Sequence, residues 1–230
     1  MKAGLATLIA GAAAAAMSGP AGAQAPAPQP ANFAVTYLEV MPSAKADAIK
    51  LLKEVAEASR KEQGNQRYEI LQRTDRDNQF AILEAWNDPK ALEAHTGGAA
   101  MTQFRDKLKP LRSGPYDERP SVAITANPSA KGAPGAFYVI THVDVTPNFK
   151  DPTIDMLKKF ADDTRKEASS VRFEVLQQNN RANHFTVTEI WKDRPAIDNH
   201  IVTASTKEFR EKLGPMSGAL YDDRIYKSVE

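Results

Sequence analysis

Two glutamates, two tryptophans and two histidines recur in this chain in one order and at one spacing. Glu84 and Trp86 stand two residues apart, Asp88 follows, and His95 lies seven residues beyond Asp88. Glu189, Trp191, Asp193 and His200 repeat the set 105 residues later. Trp86 and Trp191 are the only tryptophans among the 230 residues. An imidazole titrates near neutrality, so His95 and His200 could move a proton, hydrogen-bond a substrate or ligate a haem iron. An indole offers a flat apolar wall with one N–H donor. A carboxylate on an apolar strand face is costly unless it is paired or neutral. Glu84 and Glu189 therefore have two readings. One is a salt bridge to Arg67 or Arg60, with counterparts Arg172 and Arg165. The other is a carboxyl whose pKa is raised by burial, poised for proton transfer. The plainer alternative for each histidine is a half-buried ring packed on its tryptophan.

Tyr37 on the first strand has His142 at the equivalent position of the second copy, one hydrogen-bonding ring in place of another. The pair reads as substrate-binding, or else as rim residues of the sheet. Tyr116-Asp117 and Tyr221-Asp222 open the last strand of each copy and read as structural. The run Arg60-Lys61-Glu62, repeated as Arg165-Lys166-Glu167, reads as the solvated end of a helix.

These residues need a scaffold that occurs twice. Residues 35–122 align with 140–227 without a gap, and roughly a third of the pairs are identical, which establishes internal duplication. Each copy opens with a strand (Val35–Val40, then Ile140–Val145) that ends at Pro42 or Pro147. Ile49, Leu52, Val55 and Ala56 recur at helical spacing and predict a helix over about Ser43–Glu62; Ile154, Leu157, Phe160 and Ala161 repeat the stripe. Residues 67–72 and 80–86 form a predicted hairpin around Arg76-Asp77-Asn78. Asp88-Pro89 supplies an N-cap and a first helical proline. A second helical piece carries Phe104 and Leu108, and Tyr116–Val122 is a final strand. The order β-α-β-β-α-β makes the class α+β and ferredoxin-like. Phe80, Ile82 and Trp86 alternate with Ala81, Leu83 and Ala85, so both faces of that strand are apolar and both must be covered. The second repeat is the natural cover, giving two sheets packed as an intramolecular pseudo-dimer. A further homo-oligomer stays open.

The boundaries that follow are a leader at 1–23, a linker at 24–32, the first repeat at 33–122, a linker at 123–136 and the second repeat at 137–230. Lys2, the apolar run to Ala16 and the Ala21-Gly22-Ala23 site have the three parts of a secretory signal, so the mature chain is expected outside the cytoplasm, in the periplasm. With 30 basic and 29 acidic residues, the balance points to neither nucleic acid nor an anionic membrane as partner. No cysteine is present, which removes disulfides, thiolate metal sites and a thiol nucleophile. Dinucleotide, Walker, H-E-x-x-H and G-x-S-x-G motifs are missing, so neither nucleotide nor catalytic metal is indicated.

E-x-W-x-D as Glu84-Trp86-Asp88, the helical His95 and the downstream Phe104-Arg105-Leu108, all repeated in the second copy, give the chain a recognisable pattern. It resembles the antibiotic-biosynthesis monooxygenase domain of the dimeric α+β barrel superfamily, in two tandem copies. That resemblance implies a closed α+β barrel and the oxygenation of a quinol-like or polyphenolic small molecule by O2 without metal or flavin. A deprotonated aromatic substrate would reduce oxygen directly inside a dry pocket. It implies that Trp86 and Trp191 line pockets in which His95 and His200 orient or deprotonate the substrate. A related branch degrades haem with an asparagine on the first strand, where this chain has Thr36 and Thr141. Non-catalytic binding of haem or an aromatic ligand, or a duplicated scaffold, are the alternatives.

Overall fold

The computed structural model describes residues 32–127 and 130–229, together with the isolated Met1. The leader and nearly all of the first linker lie outside the described residues. The first repeat consists of β1 (Phe33–Glu39), α1 (Lys45–Ser59), β2 (Asn65–Arg73), β3 (Gln79–Trp86), α2 (Pro89–Gly97), α3 (Ala99–Leu108) and β4 (Asp117–Thr125). The second follows the same order as β5 (Phe137–Asp144), α4 (Lys150–Thr164), β6 (Ser170–Gln178), β7 (His184–Trp191), α5 (Arg194–His200), α6 (Ala204–Leu213) and β8 (Asp222–Ser228). The long helix of the first repeat is shorter than its periodicity suggests, because a 3-10 turn at Pro42–Ala44 precedes it and Arg60 ends it. β4 runs on to Thr125, into the stretch read as linker, because Ser121–Thr125 pair with β6.

The two sheets do not meet as separate layers. All eight strands close into one barrel in the order β1-β3-β2-β8-β5-β7-β6-β4. The seams between repeats are antiparallel ladders, β2 with β8 and β4 with β6, so neither repeat keeps a free sheet edge. Strand alternation sorts side chains to two environments. Ala81, Leu83 and Ala85 point into the barrel with Phe33, Tyr138 and Ile140. Phe80, Ile82 and Trp86 point outward and are covered by α1, α2 and α3.

At one end of the barrel lies a cross-repeat charge quartet. Arg67 makes two bonds to Glu174, at 2.8 and 3.0 Å, and Arg172 makes two to Glu69, at 2.7 and 3.2 Å. Burial pushes the Glu174 carboxyl up, but Arg67 and Arg172 outweigh it and hold the group below the usual carboxylate range. Burying such charges is tolerable only with this degree of pairing. The quartet also explains why Arg67 and Arg172 do not serve Glu84 and Glu189. Arg67 faces Ala85 across the ladder, on the barrel side, whereas Tyr68 faces Glu84 on the helix side. Arg60 is likewise committed elsewhere, donating to the Tyr68 carbonyl at 2.7 and 3.0 Å.

Candidate active site

Glu84 and Trp86 share the helix-side face of β3, and α2 lays His95 over them. Asp88 fixes that helix start by accepting from the Ala91 N–H at 2.9 Å, with Pro89 in the first turn. Asp193 does the same with Ala196. The His95 ring lies 4.5 Å from the Trp86 ring, and His200 lies 4.6 Å from Trp191. Each indole N–H donates to the glutamate two residues earlier, at 3.1 Å to Glu84 and 2.6 Å to Glu189.

Burial dominates the two glutamates and pushes both carboxyls up to about 8, although the indole N–H bonds, and Arg210 at Glu189, oppose the shift. At neutral pH each is therefore mainly a carboxylic acid, an O–H donor at rest rather than a base. His95 is held below its usual value, chiefly by burial, although Glu62 opposes the shift.

The partner of each histidine was hidden in the helix-end runs. Nδ1 of His95 lies 2.9 Å from Glu62, and Nδ1 of His200 lies 2.8 Å from Glu167. Those glutamates are not a solvated helix end; they anchor the imidazoles. In the first repeat Gly64 follows Glu62 closely. Its φ of +89° turns the chain sharply after α1, and a Cβ there would meet the Ala91 Cβ at 2.7 Å. A ring that gives its Nδ1 proton to a carboxylate presents Nε2 as the acceptor. Nε2 of His200 meets the Thr206 hydroxyl at 3.4 Å. Nε2 of His95 has no hydrogen-bond partner, although it comes within 3.3 Å of Glu84.

In the second repeat these groups border a cavity of about 190 Å³ between β5, β8, α5 and α6. His200 and Glu189 form its polar wall, and Val139, Ile197, Ile201 and Ile225 its apolar one. Tyr221, Arg210 and Asp223, with the Arg194–Asp198 ion pair, complete the lining. Arg210 donates to Asp223 at 2.6 Å, its guanidinium sits 4.9 Å over the Tyr221 ring, and Thr141 donates to the other Asp223 oxygen at 2.6 Å. Trp191 is fully buried behind Glu189 and His200 and does not line this cavity, so it braces the wall rather than forming it.

Tyr37 and His142 are brought together, but elsewhere. Their rings meet at 5.1 Å inside the barrel, on the opposite side of the sheet from the tryptophans. Odd spacing from the helix-facing residues of their strands puts them there. Arg119 lies 3.2 Å from His142 and 5.0 Å over the Tyr37 ring. Burial, then Arg119 and Arg224, push His142 down to about 3. Glu62, Glu167, Thr206 and Tyr221 are the site residues that sequence reasoning missed or set aside. Recurrence at an offset of 105 marks Glu62/Glu167 and Tyr116/Tyr221, whereas Thr206 replaces Met101 and left no such signal.

The antibiotic biosynthesis monooxygenase family model matches twice, over residues 33–107 and 136–212. The chain belongs to the antibiotic biosynthesis monooxygenase family. A curated relative, "Putative monooxygenase YcnE" of Bacillus subtilis, is 31% identical over 81 residues, which span 35% of this chain and 85% of the relative. One family domain thus corresponds to a single repeat. The crystal structure of a "Putative monooxygenase" from Fusobacterium nucleatum superposes with a TM-score of 0.76 at 17% identity, covering 86% of this chain and 92% of the other. An "anthrone oxidase-like protein" superposes at 0.65 and 14% identity, covering 86% and 91%. At those identities the two structures speak for the fold, an antibiotic biosynthesis monooxygenase barrel completed within one polypeptide.

Proposed function

We propose that the chain is a cofactor-independent monooxygenase that oxidises a small quinol-like or phenolic substrate with O2. The observation that carries this reading is the cavity bordered by an imidazole anchored on a carboxylate and by a carboxyl kept neutral. His200, with Nδ1 held by Glu167, takes the phenolic proton on Nε2. The phenolate then passes an electron to O2, and the resulting radical pair combines to a ring hydroperoxide. Glu189 donates its proton to the reduced oxygen, and loss of water leaves the quinone. In balance, a molecule of hydroquinone and a molecule of O2 give a molecule of hydroxybenzoquinone and a molecule of water. The apolar wall excludes water from the charged intermediates. Oxygen uptake with a panel of hydroquinones tests the reading. Uptake that is lost in His95→Ala/His200→Ala is expected; no uptake with any member, or uptake unchanged in the double variant, removes it.

Size argues against the haem alternative. A cavity of about 150 Å³ holds a benzene, so one of about 190 Å³ suits a single substituted ring and not a tetrapyrrole. We place the reaction in the periplasm, on the strength of the leader pattern from Lys2 to Ala23. Finding the chain in the periplasmic fraction with Gln24 as its N-terminus supports that; an intact Met1 in the cytoplasmic fraction removes it.

A further inference from the structure

We propose that the two repeats are unequal: the second binds a single-ring phenol, and the first is its closed structural counterpart. The inference rests on the reading of the His200 cavity given above. Three differences between the copies carry it, all at positions related by the offset of 105.

The interior differs first. In the first repeat one unbroken apolar cluster joins Ala34, Trp86, Leu92, Met101 and Phe104. In the second, Val139, Trp191, Ala196 and Ile197 form a cluster separate from that of Phe160, Phe209 and Leu213. Met101, 2% exposed, occupies the place where the second repeat has Thr206 beside His200. A long, adaptable thioether thus packs in the first repeat where the second has a short hydroxyl side chain behind His200, itself outside the cavity lining. The same exchange leaves His95 Nε2 without the hydroxyl that His200 Nε2 meets, so that its near neighbour is the Glu84 carboxyl at 3.3 Å.

The mouth differs second. In the first repeat Thr96 donates to Glu118 at 3.3 Å, and Arg105 reaches the Thr96 carbonyl at 2.8 Å, tying α2 and α3 to β4. In the second, Ile201 stands in place of Thr96 and Asp223, one methylene shorter, in place of Glu118. Arg210 turns to Asp223 instead, and both remain accessible, with side chains 38% and 28% exposed. The helix differs third. α2 runs to Gly97 and passes at once into α3, whereas α5 stops at His200 and three residues separate it from α6.

Histidine side-chain resonances report each site separately in protein labelled with 15N-histidine. Titration with phenol and with hydroquinone under nitrogen is expected to give one saturable site per chain, shifting His200 and leaving His95 in place. Thr206→Met, which copies the first repeat, is expected to weaken binding at least ten-fold while the melting temperature is kept. Met101→Leu, a volume-conserving change in the first repeat, is expected to bind at His200 within about three-fold of wild type. Two equivalent sites, a shift at His95 alone, no saturable shift, or wild-type binding by Thr206→Met would each overturn the inference. Saturable binding at His200 without oxygen uptake removes the proposed reaction and leaves this inference standing. Oxygen uptake with two equivalent sites does the reverse.

Discussion

Nδ1 of His200 lies 2.8 Å from Oε1 of Glu167, a residue 33 positions earlier and three past the end of α4. This contact favours the tautomer that leaves Nε2 as the acceptor, on a ring that borders the cavity. If His200 is the base, His200→Ala should lower kcat/KM about 100-fold or more. Glu167→Gln should lower kcat by about ten-fold with KM little changed. Steady-state oxygen uptake over a range of hydroquinone concentrations measures both. An unchanged kcat in Glu167→Gln would reduce that residue to a packing role.

The buried glutamates make stability fall as pH rises. Their folded pKa of about 8 lies above the unfolded value of about 4.3. The folded state therefore holds the proton over that interval, and the contribution is full below the unfolded value and lost as pH climbs towards 8. Melting temperature should drop between pH 5 and 8.5. Glu84→Gln/Glu189→Gln, which keeps an acceptor for each indole, should flatten the slope; parallel curves for variant and wild type would refute the assignment.

His142 acts with the opposite sign. Its folded pKa of about 3 is below the unfolded value of about 6.5, so its contribution is full above the unfolded value and lost as pH falls towards 3. The groups acting on it are Arg119, Arg224, Asp117 and Asp222, with the Thr186 hydroxyl at 3.5 Å. Chemical unfolding at pH 4.5 and 7 should show a smaller difference for His142→Gln than for wild type. An equal difference would locate the acid sensitivity elsewhere.

The quartet should behave as a cross-repeat clasp. Arg67→Met leaves Glu174 short of its bidentate partner and should cost about 3–5 kcal/mol in urea unfolding. Arg67→Met combined with Glu174→Leu should cost clearly less than the two single changes added together. Additive losses would mean that the pair is not coupled.

Much of the fold was legible because its signals are local. Alternation along Phe80–Trp86, the helical stripe through Leu52 and Val55, and the Asp88-Pro89 cap each depend on neighbours a few residues away. The duplication then announced a second covering sheet. Barrel closure was less legible in detail. Strand order and register at the β2–β8 and β4–β6 seams depend on backbone edges that composition does not encode, and β4 consequently ran past its expected end. In the site, Trp86, His95 and Glu84 were found together, but their partners were misread. Arg67 seemed available to Glu84 until the pleat placed the two on opposite faces.

By itself the sequence determined which groups recur and how often: two Trp–His–Glu sets on two ferredoxin-like units, at one offset. Tertiary structure decided their state. Burial turned Glu84 and Glu189 into neutral acids, and the ends of α1 and α4 brought Glu62 and Glu167 to the imidazoles. Met101 and Thr206 give otherwise matching rings different neighbours. Protonation and open volume are properties of an environment assembled from distant segments, so identical local spacing in the two repeats does not make them identical sites.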